Sequence, residues 1–240
     1  MKQRFLFFIS MLLIAGCNSP VSQENEVIKL SSNLLLEVKR SNPTTQIENE
    51  LANLDKAYIV QSLNSDNKKK TFWLNIYNAY YQIIAEKGGV GQDSIFIKKL
   101  IPVAGEHMSF DELEHGILRA KDGYDYKDLA VDTVDYRIHF ALNCGAKSCP
   151  PIAFYDFPKI DDQLEAATKL YLTLETELNE EEKVATVTQL MEWFGEDFGG
   201  EENLPSVLTK YLDRDLSDYS IRYKEFDWTE KLSNFSSSDL

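Results

Sequence analysis

Basic charge is scarce: 25 Lys and Arg stand against 39 Asp and Glu, a formal charge of −14. Such a chain repels nucleic-acid phosphates and anionic surfaces, so no nucleic-acid partner is expected. Cysteine is scarcer still, at 3 in 240 residues, which leaves no second close pair for a four-cysteine zinc site. No apolar run beyond the N-terminus is long enough to cross a bilayer, and no internal repeat or low-complexity domain is present. What remains is ordinary globular material, 43% apolar and 27% charged, enough to bury a substantial core. One domain is expected.

The N-terminus carries an address. Lys2 and Arg4 precede the short apolar run Phe5 to Ile14, the pattern of a signal peptide. Leu13-Ile14-Ala15-Gly16-Cys17 then resembles the lipobox of bacterial lipoproteins. That resemblance implies cleavage before Cys17, lipidation of its thiol, and a chain held on the membrane in the cell envelope, facing the periplasm or the cell surface. The expected organisation is a signal peptide at 1–16, a polar tether at 17–26 and a single globular domain at 27–240. With Cys17 acylated, Cys144 and Cys149 are the remaining pair, in a compartment where disulfides persist.

The pattern predicts an α+β domain, predominantly helical with a small β-sheet. Helical spacing runs from Val27 to Leu63 and breaks at Ser41-Asn42-Pro43, giving two helices. After a polar, basic loop at 64–70, the strongest helix spans Thr71 to Glu86 and stops at Gly88-Gly89. Ser109-Phe110-Asp111-Glu112 is a capping box, opening a helix to about Ala120. Tyr136 to Leu142 alternates like a strand, and Pro150-Pro151 bars its continuation. Helices follow near 161–176, 189–197 and 205–212, and one or two short strands in the aromatic tail at 219–228.

Candidate chemistry lies in three places. Asn75, Asn78 and Gln82 form an amide line along the long helix, flanked by apolar residues, so they face protein and need partners. On the capped helix, Phe110, Leu113, Ile117 and Leu118 define an apolar face within which Glu114 projects, with His115 and Arg119 nearer its edge. A carboxylate there must be paired, hydrogen-bonded or neutral, as many catalytic groups are. The strand reading puts Arg137, His139, Ala141 and Asn143 on one face and ends it at Cys144 and Gly145, within reach of His139.

These stretches carry a resemblance. Phe72 to Ala79, Leu113 to Arg119 and His139 to Pro151 closely resemble the family known as domain of unknown function 547. Glu192-Trp193-Phe194, Glu196 to Gly199 and Phe226-Asp227-Trp228 resemble its C-terminal signature, extending the likeness over most of 70–230. Thr229-Glu230-Lys231 departs from the ending expected of that signature. The resemblance brings no settled reaction with it.

Three readings follow. In the first, Cys144, Cys149, His139 and Glu114 mark a polar site that binds an envelope ligand or partner; a Cys144–Cys149 disulfide would pin the Gly145–Ser148 loop as its edge. The second is a cysteine-dependent hydrolase or acyltransferase: Cys144 or Cys149 attacks, His139 is the base, Glu114 orients it, and Asn75, Asn78, Asn143, His115, Arg119 and Ser148 support the site. In the third, Cys144, Cys149, His139 and either Glu114 or His115 gather around zinc, against which the five-residue separation of the cysteines counts. Four intervening residues, rather than two, also weaken a thioredoxin-like role. No cofactor is implied.

Overall fold

A computed structural model describes residues 25–237. The expected signal peptide, Cys17 and all but the end of the tether lie outside the described residues. Helix α1 (Glu26–Lys39) begins within the expected tether because the Asn25 side chain accepts from the backbone N–H groups of Val27 and Ile28, closing the first turn. Its buried face of Val27, Ile28, Leu34, Leu35 and Val38 packs along α4 (Asp66–Lys87).

Between them the chain forms two further helices, not one: α2 (Thr45–Ala52) and α3 (Lys56–Ser62). Asp55 breaks the pair, its carboxylate accepting from Tyr58 N. Helix α4 also starts five residues before the predicted Thr71. Ser65 caps it, and the supposed basic loop is helical because Lys69 donates to Ala130 O and Lys70 pairs with Asp135 at 2.7 Å. Phe72, Trp73, Leu74, Ile76, Tyr77 and Tyr80 are at most 1% exposed, making α4 the central rod of the core. Burying each such side chain contributes roughly 1.5–3 kcal/mol.

Sheet is sparse. After the short α5 (Gln92–Ile95), β1 (Ile101–Val103) and β2 (Glu106–Met108) form an antiparallel hairpin. A second sheet has the order β3-β4-β5: β3 (Glu177–Asn179) pairs antiparallel with β4 (Val184–Thr188), which pairs parallel with β5 (Ser220–Lys224). The predicted tail strand is β5. Helices α6 (Ile160–Glu175) and α8 (Leu204–Leu212) stand within a residue of their predicted bounds. The helix predicted at 189–197 is cut in two: α7 (Leu190–Trp193) ends at Phe194 and a 3₁₀ turn covers Gly195–Phe198.

The strand predicted at 136–142 is not there. Tyr136–Phe140 is a 3₁₀ helix, its first turn closed by the Asp135 carboxylate. The reason is that Ile138, Ala141 and Leu142, at helical spacing, pack into the α1/α4 core while Phe140 packs into a second cluster with Tyr171, Met191, Phe198 and Leu208. This segment joins the two clusters of one α+β domain. A period of two could not serve both.

Candidate functional site

The amide line on α4 is a clamp. Asn75 Nδ2 donates to Tyr155 O at 2.8 Å and its Oδ1 accepts from Tyr155 N at 3.1 Å. Asn78 Nδ2 donates to Ala141 O at 3.0 Å while Asn143 N donates to Asn78 Oδ1 at 2.9 Å. Gln82 Nε2 reaches Asn143 Oδ1 at 3.3 Å, and Gln82 Oε1 accepts from Ser233 N at 2.7 Å. Asn143 Nδ2 donates onward to Pro150 O, and its Oδ1 also accepts from Gly145 N at 3.0 Å. These buried amides hold main chain on both sides of the cysteine loop, satisfying each other as buried polar groups must.

That loop is closed by a Cys144–Cys149 disulfide. In this state neither sulfur is a free nucleophile. Gly145 turns the chain at φ +70°, and a Cβ there would fall onto the Tyr81 ring. The late segment 227–231 straps over the loop: Lys147 N donates to Thr229 O at 2.8 Å, Ser148 N to Asp227 O at 3.2 Å, and Lys231 N to Gly145 O at 2.7 Å. Ser148 Oγ accepts from Asp227 N, and Lys147 pairs with Asp227 at 2.8 Å.

The capping box forms as predicted, Ser109 and Glu112 each accepting from the other's N–H. The helix it opens then widens to π winding over Glu112–Leu118, with Arg119 N donating to Glu114 O at 2.9 Å. Such widened turns often mark functional positions. Phe110, Leu113, Ile117 and Leu118 are fully buried, and Glu114 lies half-buried beside them with Tyr77 OH donating to it at 3.4 Å. Burial pushes the Glu114 carboxyl up to about 7, opposed by the positive charge of Arg119.

Asp197 is the hub. Arg119 grips it with Nε at 2.5 Å and Nη2 at 3.1 Å, Lys121 reaches it at 3.2 Å, and His139 Nε2 donates to it at 2.9 Å. Arg119 Nη1 also donates to His115 Nδ1 at 2.9 Å. Burial alone would raise the Asp197 carboxyl, but the hydrogen bonds from His139 and Arg119 outweigh it and hold it well below the usual carboxylate range. His139, 2% exposed, is driven down to about 4 by burial, which the Asp197 hydrogen bond and charge only partly offset. It is therefore neutral near pH 7, with Nε2–H committed to Asp197 and a buried Nδ1 that has no partner among the described residues. Burial and Arg119 also lower His115.

Phe194 roofs this centre, stacked on the His139 ring at 3.8 Å and 12° and lying 4.8 Å under the Arg119 guanidinium. Its neighbour Trp193 packs in a separate cluster with Phe226 and with Trp228 of the strap. The 193–197 segment thus joins the polar centre to the cysteine loop. Glu114 and His139 do not bond directly; Asp197 takes the orienting position expected of Glu114, and no hydrogen bond joins His139 to either sulfur. Arg137, expected beside His139, instead pairs outward with Asp135 and Asp161. Among the described residues no three His, Cys, Asp or Glu side chains gather as a metal would need.

Residues 60–172 match the family described as Protein of unknown function, DUF547. This stretch of the chain belongs to that family. The family span holds the amide clamp, Glu114, His115, Arg119, His139 and the cysteine loop, whereas Phe194, Asp197 and the strap lie beyond it. No curated protein and no solved structure matches the chain. Sequence reasoning did not select Asp197 or Phe194 as site residues; their place in the late signature was the signal that pointed to them.

Proposed function

We propose that this protein is an envelope lipoprotein, lipidated on Cys17, whose domain binds an envelope ligand or partner where the cysteine loop, the strap and the Trp193–Trp228 pair meet. The observation that carries the reading is the pair itself. Trp193 and Trp228 are 43% and 44% exposed, with rings 5.9 Å apart at 27°. Adjacent large aromatics left in water are the anchors that binding surfaces use. They are also rigid, which lowers the entropic cost of binding: Phe226 packs against both, the strap is bonded to the loop, and Phe194 is pinned on His139. In this reading the clamp and the Asp197 hub hold the surface in shape.

The test is co-sedimentation of the Cys17→Ser chain with isolated cell envelopes. Trp193→Ala together with Trp228→Ala should cut binding by about tenfold or more with urea stability little changed; binding equal to the parent overturns the reading. Lipidation is read separately, by metabolic labelling with a fatty-acid analogue that Cys17→Ser should abolish.

A second reading is favoured by the unpartnered His139 Nδ1. Asp197 orients the ring, Nδ1 is a base, and Glu114 holds a proton near neutrality, the acid–base complement of a cysteine-dependent hydrolase or acyltransferase whose thiol requires reduction of the loop. Acyl-ester turnover that appears on reduction and vanishes in His139→Gln supports it; turnover indifferent to both refutes it.

A further inference from the structure

The two sulfurs of the cysteine loop are not equivalent. Cys149 is buried at 4% exposure, and two main-chain N–H groups converge on its Sγ, from Cys144 at 3.1 Å and from Ala146 at 3.3 Å. Cys144 is half-buried at the seam of the two core clusters, and among the described residues no N–H is directed at its sulfur. The N–H pair is held by the fold: Asn143 and the strap fix the turn on both sides of Gly145. Paired amide N–H groups aimed at one atom form an anion-binding concavity. Here the atom is a sulfur, which becomes anionic when the bond breaks.

We infer that Cys144–Cys149 is a thiol–disulfide exchange site with a fixed polarity: reductants attack Cys144, and Cys149 leaves as the stabilised thiolate. The step balances with an external thiol as reductant. Its thiolate attacks Cys144 Sγ along the S–S axis, a mixed disulfide forms, the Cys144–Cys149 bond breaks, and the bonding pair departs on Cys149 Sγ. A second thiolate then displaces Cys144, so the reductant is oxidised to its disulfide and the loop gains two electrons as two thiols. Exchange is faster when the leaving sulfur is the more acidic and the attacked sulfur the more accessible, and both conditions select the same direction here. Burial in apolar surroundings raises a thiol, which opposes the N–H groups at Cys149; those donors lie at the sulfur itself, in a site where water does not screen them.

This inference stands apart from the binding reading, because exchange is read on the chain alone with no envelope present. The oxidised full chain is treated with reduced glutathione, quenched in acid, capped with a maleimide and mapped by peptide mass, which also separates Cys17. Glutathione should be found on Cys144 in about tenfold excess over Cys149. In the reduced chain, the pH profile of alkylation should place the Cys149 inflection below that of Cys144 and below the ordinary thiol value of ~8.5. Glutathione on Cys149 or on both equally, a Cys149 inflection above that of Cys144, or a loop that no thiol reduces without denaturant would each overturn it. None of these readouts needs a variant that must fold.

Discussion

Glu114 and His139 sit on opposite sides of one proton balance, and that makes a test. Folding carries His139 from its ordinary 6.5 down to about 4. Between those values the unfolded chain holds the extra proton, so stability from this group rises with pH and is lost as pH falls toward 4. Folding carries Glu114 from 4.5 up to about 7. There the folded chain holds the extra proton, so stability from this group is full below 4.5 and is lost as pH rises through 7. Over the shared window, roughly pH 4.5 to 6.5, the two slopes cancel, each being about 1.4 kcal/mol per pH unit. Replacing one group unmasks the other. His139→Gln, which keeps a donor toward Asp197, should lose about 3 kcal/mol relative to the parent as pH rises across that window, and Glu114→Gln should gain about as much. Urea unfolding followed by tryptophan fluorescence at pH 4.5, 5.5 and 6.5 reads both. Parallel curves for parent and variants, or slopes of the opposite sign, would refute the protonation states assigned to this centre.

Other perturbations have definite outcomes. Asp197→Ala leaves Arg119, 11% exposed, without its carboxylate and should cost about 3–5 kcal/mol in urea unfolding, whereas Asp227→Ala, which breaks an exposed, solvent-screened pair with Lys147, should leave the urea midpoint nearly unchanged. Gly145→Ala sets a Cβ against Tyr81 and Leu232 at a positive φ and should lower stability by about 1–3 kcal/mol, visible as a fall in Tm; an unchanged Tm would mean the loop turns differently. Reducing the disulfide releases a short loop and should cost about 2 kcal/mol of unfolding free energy, measured with and without a dithiol.

Much of the frame was legible locally. The α4 rod, the capping box at Ser109, helices α6 and α8, the tail strand β5 and the burial of Asn75, Asn78 and Gln82 follow from periodicity, caps and breakers within a window of one element. The failures share a cause. The 64–70 segment reads as a loop because its lysines look solvated, and only partners some sixty residues away, Ala130 and Asp135, make them helical and buried. The 136–142 segment reads as a strand because bulky residues alternate along it, whereas two clusters assembled from distant elements claim Ile138, Ala141 and Leu142 on one side and Phe140 on the other.

The sequence by itself determined what local physics encodes: an acidic α+β domain, its long helix and caps, and a glutamate, a histidine and two cysteines in places that demand an account. Tertiary structure alone decided whom they meet. His139 finds Asp197, 58 residues further along, and Glu114 finds Tyr77, 37 residues back. The strap that covers the cysteine loop comes from about eighty residues downstream. Side-chain spacing reports which face a residue occupies, but pairings across such distances are set by how whole elements pack, and no local pattern carries that information.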